Sequence, residues 1–324
     1  MSRFAEVDRL FARHGLGPVT TVQPLPGGRL NHAVRVNTTH VLRWRDPSRA
    51  TGSLKREVGV LKRLGGRVPA PEVVASGLDE MLGEYVVQHY IPGENLLYAW
   101  LEKPDVATRE WWLMEWVAAI RGIHSERFPR PGEWSNGELK EASSWRIYIE
   151  RRIRKRLDLL MRVAGMDREL VLAAERYLKR QAPVLEDGPF CLIHRDLHFA
   201  NALVEGPRLT AILDFELAEV GPPDYELDTI WRFLRYPADF ADPAIAARVT
   251  PTRFASVWVR LRRQYPELFA ARRLRERLCL YALDHDLSCL LQAYQARWDR
   301  TGDAAVEAAT RRIGEILQNR YGPE

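Results

Sequence analysis

Apolar and polar side chains alternate through residues 20–46, and turn-forming residues interrupt the alternation twice. A period of two is typical of strands, so this segment predicts three strands joined by turns. The first of the two turns contains Gly27 and Gly28. In the third strand the alternation puts Val41, Arg43 and Arg45 on one face and Leu42 and Trp44 on the other.

Within residues 54–64 the apolar side chains recur every three or four positions, which predicts a helix that carries Glu57. The segment EYVVQHYIPGE at residues 84–94 then predicts a last strand that runs into a linker. The pattern and the length together predict two lobes, with a small lobe of strands and helix at residues 1–91 and a larger lobe at residues 92–324.

The larger lobe is predicted to be mostly helical. Residues 109–124 are rich in Trp and aliphatic side chains, and a helix capped by Asp167 is expected to end before Pro183. Apolar residues recur again through residues 254–269 and 274–294. The fold class is therefore predicted to be α+β, with an antiparallel sheet and one helix in the small lobe.

The segment LIHRDLHFANALVEGPRLTAILDFE at residues 192–216 carries the candidate chemistry. A short apolar strand is expected to deliver Asp196 to a loop, and a hairpin that turns at Gly206 brings Asn201 close to Asp214. Phosphoryl transfer needs an oriented hydroxyl and metal ions that offset the developing charge. Each of these residues alone is more typical of a turn or a helix cap, but the three together favour phosphoryl transfer.

The block HRDLHFAN followed by ILDFE matches the catalytic loop and the metal-binding motif of protein kinases. Three details differ from that pattern. Glu216 replaces the glycine of the metal-binding motif, and His198 replaces a lysine of the catalytic loop. Only thirteen residues separate Asp214 from Asp228, which is too short for the activation loop of a protein kinase. The chain therefore resembles the aminoglycoside phosphotransferase and choline kinase group of small-molecule kinases. The resemblance spans most of the chain and implies a protein-kinase-like bilobal fold.

The resemblance implies a role for each matching position. Asp196 would be the catalytic base, and Asn201 and Asp214 would bind Mg²⁺ beside ATP or GTP. Arg43 stands where the group usually has Lys, and Glu57 would hold it in place. Further positions would bind the nucleotide or support the site: Gly27 and Gly28 in the nucleotide loop, Gln88, His89, Tyr90 and Ile91 in the hinge, and His194 and Asp228 as structural supports.

Acidic side chains suggest the class of acceptor. Glu216 follows the metal-binding Asp, and Asp284 and Asp286 lie on a later predicted helix. In the resembled group the carboxy-terminal helices line the acceptor pocket, so these carboxylates would favour a cationic alcohol such as an aminoglycoside, choline or thiamine. The alternative is that they hold loops or are solvated. The choice between ATP and GTP and the oligomeric state stay open.

The chain of 324 residues has a net charge of +5, and only 6 of its 48 basic residues are Lys. A basic run at residues 151–156 has no aromatic platform beside it, so a solvated helix face is favoured over a nucleic-acid site. Three cysteines without metal-ligand spacing, no signal peptide and no apolar run long enough for a membrane span predict a cytoplasmic protein. A catalytically silent nucleotide-binding regulatory module on the same fold is the alternative function.

Overall fold

The computed structural model describes residues 4–25, 31–45, 54–102, 105–135, 138–186, 188–294 and 302–322. Its amino-terminal part is a five-stranded antiparallel sheet in the order β1-β2-β3-β5-β4. The elements of this part are α1 (Phe4–Arg13), β1 (Val22–Pro24), β2 (His32–Val36), β3 (His40–Arg45), α2 (Leu54–Leu64), β4 (Val73–Asp79) and β5 (Gly83–His89). The three strands and the helix predicted here are confirmed. The predicted turn at Gly27 and Gly28 lies outside the described residues.

The two faces of β3 have different partners, as the alternation predicts. Leu42 and Trp44 are buried in a hydrophobic cluster that the sheet shares with Leu10 and Phe11 of α1. Arg43 and Arg45 extend from the opposite face. The first helix therefore covers the outer face of the sheet and leaves the basic face toward the rest of the chain.

Helix α2 belongs only in part to this sheet. Its Val58 packs with Val86 of β5 in a small cluster, whereas Val60, Leu61 and Leu64 join the large hydrophobic cluster of the carboxy-terminal part. One helix thus connects the sheet with the larger core.

The remainder of the chain is mostly helical, with two small sheets. The helices are α3 (Leu96–Glu102), α4 (Val106–His124), α5 (Trp145–Leu160), α6 (Arg168–Gln181), α7 (Glu226–Arg235), α8 (Val257–Gln264), α9 (Leu274–Tyr294) and α10 (Gly302–Leu317). The strands are β6 (Glu94–Asn95), β7 (Arg127–Phe128), β8 (Gly132–Ser135), β9 (Glu138–Glu141), β10 (Phe190–Ile193), β11 (Ala202–Glu205), β12 (Arg208–Ile212) and β13 (Glu219–Gly221). Asp167 caps α6 by accepting bonds from the Glu169 and Leu170 amides, as predicted.

The small sheets place the loops that matter for chemistry. One has the order β7-β10-β13-β8-β9, and the other joins the β11–β12 hairpin to β6. Gly93, just before β6, has φ of +143° and lies so close to Val204 O and Thr210 Oγ1 that a Cβ would meet both. The chain after residue 91 is therefore attached to the hairpin, and we propose the lobe boundary there.

Apolar side chains of α4, α5, α6, α7 and α9 form the large core, with α10 packed along α9. Trp145 at the start of α5 is fully buried among Tyr148, Tyr225 and Tyr281. Of the helices in the described ranges, none has the length and apolar character needed to cross a membrane.

We expect Gly221→Ala to destabilise the fold by about 1–3 kcal/mol, because the new methyl group would overpack the core. A Cβ at this position would lie 2.9 Å from both Ile193 Cδ1 and Trp145 Cη2. Gly188→Ala is the control, since a Cβ there meets nothing within 4 Å. Urea unfolding of both variants measures the difference, and equal stability would show that Trp145 adjusts freely.

Candidate active site

Two residues with left-handed backbone conformations shape the site. Strand β10 ends at Ile193, and Arg195 in the following loop has φ of +71°. Asp214 follows β12 with φ of +66°. The hairpin closes between them, since the Leu213 amide donates to Asn201 O at 2.8 Å. Non-glycine residues keep such conformations only where the surrounding contacts hold them, and they are often found at functional sites.

Asp196 lies at the centre of a hydrogen-bonded group. Its Oδ2 accepts a bond from Asn201 Nδ2 at 2.8 Å, and its Oδ1 lies 3.4 Å from His198 Nε2. Burial works to raise the pKa of Asp196, but His198, His194 and the Asn201 amide outweigh it and lower the pKa. The carboxylate is therefore ionised at neutral pH, and 29% of its side chain is still exposed.

Asp214 and Asn201 provide hard oxygen atoms at neighbouring positions. The Asn201 amide nitrogen is engaged by Asp196, which leaves Asn201 Oδ1 as an acceptor. Burial raises the pKa of Asp214 despite Arg43 Nη2 at 3.4 Å, so this carboxylate is short of positive charge. No cluster of three or more His, Cys, Asp or Glu side chains forms a metal site in the described residues. Two such ligands fit Mg²⁺, which usually keeps water and phosphate oxygens in its shell.

A buried ion pair connects β3 with α2. Arg43 Nη1 donates to both oxygens of Glu57 at 2.6 and 2.7 Å, and Glu57 is fully buried. Burial raises the pKa of Glu57 to about 7. The nearby carboxylates of Asp214 and Glu216 raise this pKa further, and Arg43 lowers it. The guanidinium group of Arg43 therefore bridges the carboxylates of Glu57 and Asp214.

The predicted substrate contact of Glu216 needs correction. Its Oε2 accepts bonds from Arg45 Nη2 at 2.6 Å and Asn31 Nδ2 at 3.1 Å, and Arg45 Nε also donates to Asn31 Oδ1 at 2.9 Å. Only 10% of the Glu216 side chain is exposed. These contacts make Glu216 a link between the sheet and the segment after Asp214 rather than a group that is free to bind an acceptor.

The residues predicted to form the hinge lie at and after the end of β5, and two of their backbone amides already have partners. The His89 amide donates to Glu72 O at 3.0 Å, and the Tyr90 amide donates to Thr39 O at 2.8 Å. The Gln88 side chain is buried, and His89 is exposed and stacks on His40. The amide of Ile91 has no backbone partner among the described residues.

The carboxylate that holds the loop after β10, which carries Asp196, is Glu226 rather than Asp228. Glu226 Oε1 accepts bonds from the His194 and Arg195 amides, and Glu226 is fully buried. Asp228 instead accepts a bond from Tyr321 Oη at 2.9 Å. His194 Nε2 lies 2.9 Å from Leu213 O, and His194 Nδ1 accepts from the Asp196 amide at 3.2 Å.

The predicted acceptor contacts of Asp284 and Asp286 are also corrected. Both side chains are completely buried on α9. Asp284 is paired with Arg152 and Arg156, and Asp286 is paired with Arg232 and Arg312. Carboxylates that already neutralise two arginines each have no free face for a cationic acceptor.

The sequence profile of the family described as "Phosphotransferase enzyme family" matches residues 21–262. The chain belongs to this family. Its membership confirms the predicted phosphotransferase class and the suspected family of the sequence resemblance. No curated protein sequence matches this phosphotransferase.

Solved structures of aminoglycoside phosphotransferases share the fold of this phosphotransferase. APH(4)-Ia is 21% identical with a TM-score of 0.72, and the match covers 99% of this chain and 100% of that one. The GDP complex of aminoglycoside 2'-phosphotransferase-IIIa is 17% identical with a TM-score of 0.64, and the match covers 99% and 100%. The predicted protein-kinase-like bilobal fold is confirmed.

Sequence reasoning missed several residues that complete the site of this phosphotransferase. Asn31 carried no signal, because its partner Glu216 is 185 residues away. Glu226 could have been considered, since it lies two residues before Asp228 in the same acidic segment. The role of Arg45 was indicated only by its position on the same strand face as Arg43.

We expect Glu226→Gln to loosen the loop after β10 and Asp228→Asn to leave it closed, because Glu226, and not Asp228, accepts from the His194 and Arg195 amides. Losing charge-assisted bonds to buried donors costs about 1.5–3 kcal/mol. Amide hydrogen exchange at His194 and Arg195 measures the opening directly. Faster exchange in Asp228→Asn than in Glu226→Gln would contradict this assignment.

The stability of the protein should depend on pH through Glu57. A carboxyl group with a folded-state pKa of about 7 binds a proton that the unfolded chain has already released. The stability that this group contributes is therefore lost as the pH rises from the pKa of Glu57 in the unfolded chain through its folded-state pKa of about 7. We expect Glu57→Gln to gain stability relative to wild type between pH 5 and pH 8, measured by urea unfolding. Glu80→Gln, at an exposed position, is the control and should show no such change.

Proposed function

We propose that this phosphotransferase is a small-molecule kinase that transfers the γ-phosphate of ATP or GTP to a hydroxyl group. The observation that carries the proposal is the convergence of Asp196, Asn201 and Asp214 with Arg43 of the sheet. These residues come from the catalytic loop, the hairpin and β3, and together they bring a base, metal ligands and a phosphate-binding cation to one place.

Asp196 is the group that accepts the proton of the acceptor hydroxyl. Its lowered pKa keeps it ionised, and its exposed part leaves room for a hydroxyl. Asn201 orients one carboxylate oxygen and thereby leaves the other, beside His198, to face the acceptor. Proton transfer to a positioned carboxylate contributes about 10²–10⁴-fold in rate.

Asn201 and Asp214 would hold Mg²⁺, which offsets charge on the phosphate oxygens during transfer. Arg43 would donate to a phosphate oxygen through Nη2, the guanidinium nitrogen that lies toward Asp214. Its second partner, Glu57, fixes the guanidinium group and so reduces the conformational freedom that binding would otherwise remove.

Structures of the fold relatives support nucleotide and small-molecule binding. One neighbour, an APH(4)-Ia mutant that is 20% identical to this chain, is a ternary complex with AMP-PNP and hygromycin B. Another, APH(2")-IIIa at 17% identity, is a complex with GDP and kanamycin. We extend to this chain the nucleotide and the hydroxyl-bearing small acceptor. The prediction of a cationic acceptor loses its support, because Glu216, Asp284 and Asp286 are all paired with arginines.

A catalytically silent module on the same fold is the weaker proposal, because Asp196 is held in a reactive arrangement that nucleotide binding alone does not require. A module that only binds nucleotide would need Asp214 and Arg43 but no ionised base beside them. The intact Asp196, Asn201 and Asp214 arrangement therefore favours the enzyme.

We expect Asp196→Asn to lower kcat by about 10²–10⁴-fold while nucleotide affinity stays within a factor of about three, because the carboxylate acts on the acceptor proton. ADP or GDP release is measured over a panel of aminoglycosides, choline, thiamine, homoserine and anionic sugars. Asp158→Asn, at an exposed position on α5, is the matched control. Equal turnover by wild type and Asp196→Asn would reject the base assignment.

A further inference from the structure

His198 lies against the carboxylate that the proposed reaction uses as its base. Its Nε2 is 3.4 Å from Asp196 Oδ1 and 3.2 Å from Asn201 Nδ2. Only 9% of the His198 side chain is exposed, compared with 29% of the Asp196 side chain. The imidazole therefore contacts two residues of the proposed site from its protein side and leaves the accessible side of Asp196 to a ligand.

Two phenylalanines fix the plane of the His198 ring. The Phe233 ring is stacked on it at a centroid distance of 6.0 Å, and the Phe240 ring is tilted against it at 4.6 Å. The two phenylalanines also meet edge to face at 5.6 Å. Phe233 is buried on α7, and Phe240 ends the 3₁₀ turn Pro237–Phe240. A ring packed in this way has little freedom to rotate, so its Nε2 edge stays directed at Asp196.

The hydrogen bonds of Asn201 leave the Nε2 proton of His198 for Asp196. A carboxamide has two N–H groups to donate. Asn201 Nδ2 lies 3.0 Å from Asp196 O and 2.8 Å from Asp196 Oδ2, so both groups have an acceptor without His198. Asn201 therefore does not need the lone pair of Nε2, and this nitrogen can carry a proton.

The surroundings of the other ring nitrogen favour the same tautomer. Nδ1 of His198 is buried and has no hydrogen-bond partner among the described residues. A proton on Nδ1 would be a buried donor without an acceptor, which is unfavourable. It would also turn the lone pair of Nε2 toward the carboxylate of Asp196. A proton on Nε2 avoids both problems, because it points at Oδ1.

We propose that His198 is a positioning residue whose Nε2–H holds Oδ1 of Asp196 in the orientation that receives the proton of the acceptor hydroxyl. This inference rests on the proposed kinase function and adds a residue to its mechanism. Asn201 fixes Oδ2 and His198 fixes Oδ1, so the carboxylate cannot rotate away from the hydroxyl. The separation of 3.4 Å is long for a hydrogen bond, and the bonds of catalytic groups often shorten when the substrate is in place.

His198 and the acceptor can share one oxygen of Asp196, because an ionised carboxylate oxygen accepts more than one hydrogen bond. In the transfer the hydroxyl oxygen forms a bond to the γ-phosphorus, and the bond from this phosphorus to the bridging oxygen breaks. The hydroxyl proton moves to Asp196, and His198 keeps its own proton throughout. His198 thus acts on the geometry of the base, and small displacements of a reacting group can lower a rate about 10²-fold.

Three substitutions of His198 separate positioning from packing. Gln can place an amide N–H where Nε2 stands, Asn places it near Nδ1, and Phe keeps the ring without a donor. The release of ADP or GDP is measured with water as the acceptor and with any aminoglycoside, alcohol or sugar that is turned over. His198→Phe and His198→Asn should lower kcat about tenfold or more, while His198→Gln stays within about threefold of wild type. The KM for the nucleotide should change little in all three.

A packing role would give a different order of activities. His198→Phe would then keep the kcat of wild type, because it retains the contacts with Phe233 and Phe240. His198→Gln would be no better than His198→Asn, since both lose the ring. Either result would overturn the inference. His14→Phe, at an exposed position after α1, is the control and should behave as wild type. Thermal midpoints Tm identify the variants that fold, and only these are compared.

A double substitution tests whether His198 acts through Asp196. In an Asp196→Asn background, His198→Phe should lower the remaining kcat by less than about threefold, because the group that it positions is already lost. An equal loss in both backgrounds would show that His198 acts independently of Asp196 and would overturn the inference.

The tautomer is measured without any turnover. Imidazole ¹⁵N chemical shifts of the full chain distinguish the protonated ring nitrogen from the other, and the His198 signals are identified by their absence in His198→Phe. We expect the proton on Nε2. A proton on Nδ1, or a mixture of the two tautomers, would overturn the inference even in an active enzyme. A wild type that turns over no nucleotide would reject the proposed kinase function, and these spectra would still decide whether Nε2–H faces Asp196.

Discussion

The ion-pair chain from Glu57 through Arg43 to Asp214 is the constraint on which the site depends. Its three residues come from α2, β3 and the end of the β11–β12 hairpin. Arg43 lies 2.6 Å from a Glu57 oxygen and 3.4 Å from an Asp214 oxygen, so the chain ties the three elements together. Burying these charges is costly unless each finds a partner. One arginine serves two carboxylates here, so a cation brought to Asp214 would relieve the shortage of positive charge.

The parts of the fold that the sequence predicted are those set by local pattern. Residues 54–64 form a helix and β3 presents Arg43 and Arg45 on one face, because periods of 3.6 and 2 fix which side chains share a face. The approach of Asn201 and Asp214 was also predictable, since a short hairpin brings its two ends together. The roles assigned to these residues in catalysis and nucleotide binding stay predictions.

The errors concern partners that are distant in sequence. Asp284 and Asp286 were expected to face a cationic acceptor, and nothing local reveals that Arg152 and Arg312 neutralise them. Glu226 and Asp228 lie on the same first turn of α7, so their spacing alone cannot decide which carboxylate meets the loop after β10. An acidic sequence segment therefore does not imply an acidic surface, because carboxylates that are buried against arginines add no negative charge to the surface.

The separate hydrophobic cluster of the amino-terminal sheet has a consequence for how the protein opens. Cooperative units of partial unfolding follow packed cores, and the sheet with α1 has a core of its own. Helix α2 shares most of its apolar face with the larger core, and Arg56 Nε donates to Trp134 O at 3.0 Å. A fluctuation that melts the sheet would therefore carry Arg43 away while Glu57 stays with the hairpin. The first step of unfolding would then break the ion pair between Arg43 and Glu57 while α2 stays packed on the larger core.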